Sequence, residues 1–112
     1  MPRSAERAIL QLLALVPAGQ VVSYGQLADL AGLPGRSRLA GRVLRNADTR
    51  DLPWHRVVAA DGRISLPAGS SAAQEQRARL LAEGVTFTGA RVNMQKHRWQ
   101  PDLAAMLMLL KG

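Results

Sequence analysis

The strongest constraint on this chain is a break. Gly32-Leu33-Pro34-Gly35 cuts a stretch of helical apolar spacing into two short helices. Before the break, Leu27, Ala28, Leu30 and Ala31 form an apolar side, and Ser23 with Gln26 makes a capping box that starts the helix. After it, Ser37 is placed to cap a helix in which Leu39, Ala40, Val43 and Leu44 face inward. Arg38, Arg42 and Arg45 are left on its outside. Nearer the N-terminus, Ala5, Ala8, Ile9, Leu12, Leu13 and Val16 recur at helical spacing from Ser4 as cap, until Pro17 and Gly19 end that helix. Helix, glycine-containing turn and arginine-faced helix make a helix-turn-helix pattern. An ordinary helical hairpin with a solvated basic face satisfies the same periodicity.

The remainder reads as a small mixed appendage. Asn46 to Pro53 is a loop leading to Trp54-His55-Arg56. Val57-Val58-Ala59-Ala60 and Arg63-Ile64-Ser65-Leu66, joined by Asp61-Gly62, spell a β-hairpin. Ser71 with Gln74 predicts another capped helix, running to Glu83 and ending at Gly84. Val85 to Phe87 and Arg91 to Met94 suit two short extended segments, and the Met/Leu-rich run from Asp102 to Gly112 suits one apolar helix.

At 112 residues and 12.1 kDa there is room for one domain, and 47% hydrophobic residues exclude wholesale disorder. Fifteen Lys+Arg against eight Asp+Glu give +7, and thirteen of the fifteen are Arg, whose fork suits phosphates and guanine edges. That balance points to nucleic acid. The absence of cysteine excludes disulfides, thiolate metal sites and a thiol nucleophile. No apolar stretch approaches the ~20 residues of a membrane helix, and no signal peptide is recognisable. The expected setting is therefore cytoplasmic, associated with the nucleoid and not with a membrane.

Enzyme motifs are missing. His55 and His97 stand without HxxH, HxxE or HxH spacing, and neither GxSxG nor a phosphate-binding glycine loop occurs. No metal or cofactor is expected. His55 beside a tight turn reads as a structural hydrogen-bonding residue. Trp54 either plugs the core or, with arginines nearby, stacks on an unpaired base.

Four segments carry a resemblance. Pro53-Trp54-His55-Arg56-Val57-Val58 is similar to the Pro-Cys-His-Arg-Val signature of the O6-alkylguanine-DNA alkyltransferases, with Trp in place of the acceptor Cys. Gly19-Gln20-Val21-Val22-Ser23-Tyr24-Gly25-Gln26-Leu27-Ala28 resembles the segment ahead of that family's recognition helix. Arg38-Leu39-Ala40-Gly41-Arg42-Val43-Leu44 resembles the recognition helix itself, and Leu80-Leu81-Ala82-Glu83-Gly84-Val85 resembles the closing segment. They occur in family order and span Ile9 to Trp99. The Trp form is the mark of the alkyltransferase-like proteins.

This resemblance implies a mainly α fold with a small β-hairpin, a winged helix-turn-helix-like DNA-binding domain of the alkyltransferase C-terminal type. It would occupy residues 1–101, with 102–112 as a C-terminal apolar, helical extension. The implied activity is non-enzymatic: binding O6-alkylguanine in duplex DNA from the minor groove, flipping the lesion into a pocket, and marking it for nucleotide-excision repair. The implied partners are such DNA and excision-repair damage-recognition proteins, met by a monomer. Arg38 would be the finger that fills the vacated space, with Ser37, Arg42 and Arg45 also on DNA. Tyr24 would press on the neighbouring phosphate and reach the flipped base. Leu44, Trp54, His55, Val57 and Pro67 would complete the pocket, the carbonyls of Trp54 and Val57 accepting from the guanine amine. His55 with Glu83 would match the pair that activates Cys in the enzymes. Pro67 stands where some alkyltransferase-like proteins carry an Arg that contacts the lesion, with Arg63 nearby to compensate in part. Two other functions fit parts of the pattern: a helix-turn-helix transcriptional regulator and a residual DNA alkyltransferase.

Overall fold

The computed structural model describes residues 2–111, with side-chain surroundings for residues 5–108. Helix α1 (Pro2–Leu15) starts two residues before Ser4, because proline fits the first helical turn, where its missing N–H would have no partner. Ile9, Leu12 and Leu13, with Val16 just beyond, are its buried stripe; Ala5 and Ala8 are half-buried. The chain turns through Gly19 into β1 (Val22–Ser23) and directly into α2 (Tyr24–Leu30).

Ser23 caps α2, its hydroxyl accepting the Gln26 N–H at 3.0 Å. The reciprocal half of the capping box is absent: the Gln26 amide donates to the Trp99 carbonyl at 2.6 Å, tying α2 to the distant C-terminal segment. Gly32, at φ +81°, ends α2 in a Schellman turn, with Gly32 N–H on Asp29 O and Leu33 N–H on Ala28 O. Helix α3 (Ser37–Asn46) follows. Ser37 does not cap it: Arg36 holds the cap position with no side-chain bond, since the chain leaves Gly35 already turning into the helix. The N-terminal turn of α3 is therefore open to solvent.

One 3-10 turn (Trp54–Arg56) leads to β2 (Val57–Val58), and here the expected hairpin fails. Strand β2 pairs in parallel with β1, Val22 opposite Val57 and Ser23 opposite Val58. Asp61-Gly62 does turn the chain, but Arg63 leaves to bridge Arg91 instead of running back along β2. Val57 and Val58 are both fully buried and need covering on both faces, which an exposed hairpin cannot give. Helix α4 (Ser71–Ala82) is capped by Ser70, not Ser71, through Ala73 N–H. The antiparallel hairpin of the structure is β3 (Phe87–Thr88) with β4 (Arg91–Val92). Two short helices, α5 (Met94–His97) and α6 (Leu103–Lys111), complete the chain.

The main core gathers Ile9, Leu12, Leu13, Val16, Val22, Leu27, Ala28, Ala40, Val43, Val57, Trp99 and Met106. A second cluster of Val21, Val58, Leu80, Val85 and Val92 lies across the β1–β2 pair. Val21 and Val22, like Val57 and Val58, thus point into different cores, as the period-two alternation of extended chain dictates. Among the described residues no helix is long and apolar enough to cross a membrane.

Candidate nucleic-acid interface

A cleft of about 750 Å³ opens between the α2–α3 pair, the Trp54 turn, the 65–67 loop and α4. Of the residues expected at the site, Tyr24, Ser37, Arg38, Arg42, Leu44, Arg45, Trp54, Val57 and Pro67 all line it. His55 does not. It is buried behind Trp54, ring centroids 6.1 Å apart and nearly perpendicular, because its Nε2–H is held by Glu83 at 2.8 Å.

The seven arginines from Pro34 to Arg63 separate into two groups. Arg56, Arg50 and Arg63 are engaged by Glu83, Asp48 and Asp61 respectively. Arg36, Arg38, Arg42 and Arg45, at the start and along the outer face of α3, are exposed and make no ion pair among the described residues. The positive charge at the cleft is thus concentrated on one helix, beside that helix's open N-terminal turn, where the backbone dipole adds to it.

Arg56 belongs to the scaffold. Its guanidinium clamps Glu83 (Nη2 to Oε2 2.6 Å, Nε to Oε1 3.0 Å) and donates to the Val16 carbonyl at 2.8 Å. One side chain thereby joins the ends of α1 and α4 beneath the Trp54 turn. Burial works against the charge on Glu83. It is outweighed by the Arg56 hydrogen bonds, then His55 and the Gly19 N–H, so the carboxyl is held down at about 2 against an ordinary 4.5. While Nε2 is held by Glu83, the other ring nitrogen, Nδ1, is enclosed with no hydrogen-bond partner among the described residues.

Trp54 is half-buried, one of the cleft's lining residues, with the Arg79 guanidinium 5.5 Å from its ring centroid. Its neighbours on the wall include residues that motif reading missed. Ser65 meets the Tyr24 hydroxyl at 2.6 Å, tethering the phenol to the 65–67 loop. Arg63, by contrast, is not on the wall. Gln76 is buried and donates to the carbonyls of His55 and Val57. The Trp54 carbonyl accepts the Val57 N–H, so both carbonyls expected to receive a guanine amine already have internal partners. Gln76 left one trace in the sequence: it lies four residues before Leu80, a polar side chain on the buried stripe of α4. Ser65 left none, since its role comes from a loop folding across 41 residues of sequence separation.

A helical pair with an arginine face over an apolar cleft, carried on this β1–β2 and α4 frame, defines an alkyltransferase-type DNA-binding fold. The chain belongs to the family of 6-O-methylguanine DNA methyltransferase DNA-binding domains, whose model matches residues 4–85. Within it, the chain is 43% identical over 93 residues to the DNA base-flipping protein of Escherichia coli (strain K12), covering 81% of this chain and 70% of that protein. It is 34% identical over 92 residues to Alkyltransferase-like protein 1 of Schizosaccharomyces pombe, covering 77% and 85%. The crystal structure of S. pombe Atl1 in complex with damaged DNA containing O6-carboxymethylguanine superposes with a TM-score of 0.75 at 29% identity, covering 90% of this chain and 98% of that chain. The mainly helical fold with small sheets is the one expected from the motifs.

Proposed function

We propose that this protein is a non-enzymatic reader of O6-alkylguanine in duplex DNA. It binds through α3 from the minor groove, rotates the damaged nucleotide into the cleft over Trp54, leaves the alkyl group in place, and presents the complex to nucleotide-excision repair. The observation that carries this reading is an indole on the wall of an apolar cleft also lined by three arginines, Arg38, Arg42 and Arg45, that make no ion pair among the described residues. The relatives called base-flipping and alkyltransferase-like proteins support it.

The physics of the lesion matches the cleft. O6-alkylation removes the N1 proton of guanine and weakens its pair, which lowers the cost of a few kcal/mol for leaving the stack. Arg38 then fills the vacated space, and the Tyr24 ring, packed over Gly41 of α3, exchanges its Ser65 contact for the neighbouring phosphate. An indole rewards the alkyl substituent by burial at ~0.8 kcal/mol per CH₂. No cysteine in the chain is available to accept the group.

The deciding experiment is a titration of matched duplexes, one with guanine and one with a single O6-methylguanine, followed by mass analysis of DNA and protein. The expected result is a large gain with the lesion and unchanged masses. Equal affinities would favour a sequence-reading regulator, and a transferred methyl group or a cut strand would establish an enzyme.

A further inference from the structure

We propose that Gln76 reads the edge of the base: its side-chain carbonyl oxygen accepts a hydrogen bond from the 2-amino group of the flipped guanine. This rests on the cleft being the lesion pocket. Gln76 is only 3% exposed, yet it lines the cleft from α4. Its Nε2 donates to the His55 carbonyl at 3.1 Å and to the Val57 carbonyl at 2.8 Å. An amide nitrogen carries two hydrogens, so both are used, and the flipped amide would set its oxygen against two carbonyl oxygens. The orientation is therefore fixed by the backbone it touches.

That leaves Oε1. It makes no hydrogen bond among the described residues, and it is not one of the enclosed atoms without a partner, which are Gln26 Oε1 and His55 Nδ1. With that oxygen neither bonded nor enclosed, and its residue lining the cleft, the cleft is where it meets solvent. A rigid, nearly buried acceptor is stabilised by a ligand that brings it a donor and penalises one that does not. O6-alkylguanine has lost its N1 proton, and O6, N3 and N7 only accept, so the sole N–H donors on its base are those of the 2-amino group. The carbonyls of Trp54 and Val57 beside it each already hold one bond within the protein, whereas the Gln76 oxygen holds none among the described residues.

The test compares duplexes carrying O6-methylguanine, O6-methylhypoxanthine (the same base without the 2-amino group) and unmodified guanine. The wild-type protein is expected to prefer O6-methylguanine over O6-methylhypoxanthine about five- to tenfold, the effect of one neutral hydrogen bond. In Gln76→Met, which keeps the length of the side chain, the ratio is expected to fall below about twofold. Equal binding of the two modified duplexes by the wild type overturns the proposal, as does a variant that keeps the full ratio. Should Gln76→Met fail to fold, the wild-type protein decides: the Gln76 side-chain ¹³Cδ resonance shifts with O6-methylguanine and differently without the 2-amino group. An identical response to both duplexes overturns the proposal. If neither modified duplex outbinds unmodified guanine, the lesion-pocket reading itself fails and takes this one with it.

Discussion

Trp54 and Gly62 show how a single position answers to different demands. Trp54 is half-buried, with part of its ring on the cleft and Arg79 close by, so its removal acts mainly on what enters the cleft. Trp54→Ala is expected to flatten the affinity gain along methyl, ethyl and propyl lesions, roughly fourfold per buried CH₂ in the wild type, to near nothing. Binding of undamaged DNA should stay within about twofold, and competition titrations with the three lesions read both. Gly62 is different. At φ +93° it sits where a Cβ would lie 2.5 Å from the Val92 carbonyl oxygen, the backbone that pairs with it. Gly62→Ala is expected to lose about 2–4 kcal/mol in denaturant unfolding, with lesion preference retained in the folded fraction.

Between elements, the arrangement separates grip from scaffold. The exposed arginines of the α3 segment face outward with no ion pair among the described residues, while Arg56 is spent on joining α1 to α4. Phosphate contacts by Arg36, Arg42 and Arg45 predict a log–log salt slope of about −2.7, and Arg42→Ala should reduce it by about 0.9 while weakening damaged and undamaged duplexes alike. Arg38→Ala should instead lower the preference for the lesion, with Lys96→Ala on α5 affecting neither as strongly. Binding isotherms between about 50 and 200 mM salt separate these outcomes. The helical pair was legible because its signals are local: a Schellman glycine, a serine cap and an apolar stripe all act within a few residues. The parallel β1–β2 pair was not, since Val22 and Val57 find each other across the sequence and the Asp61-Gly62 turn mimics a hairpin. The same division holds at the site. Trp54, Tyr24 and Arg38 came from contiguous motifs, whereas Ser65 and Gln76 reach the cleft only through tertiary packing. Arg56, two residues after the key tryptophan, is bound instead by a carboxylate 27 residues away, which no local pattern signals.

For the molecule as a whole, the Glu83 hub sets the acid limit of stability. Its folded pKa of about 2 lies below the ordinary 4.5, so its contribution is complete above about pH 4.5 and is lost as pH falls through about 2. Glu83→Gln leaves Arg56 and His55 without their carboxylate and is expected to cost about 2–3 kcal/mol at neutral pH. The gap between variant and wild type should close as the pH is lowered across that window, measured by urea midpoints at successive pH values. A gap independent of pH would mean that the carboxylate's charge is not what holds the hub together. Met106 brings α6 into the same core as Ile9 of α1, and Trp99 lies between them in sequence and beside them in space. A ribosome making this chain exports the basic α2–α3 pair long before it releases the residues that seal the core beneath it. The newborn protein therefore displays its cationic helix on an unfinished body, and its fold is consolidated only once synthesis has passed residue 106.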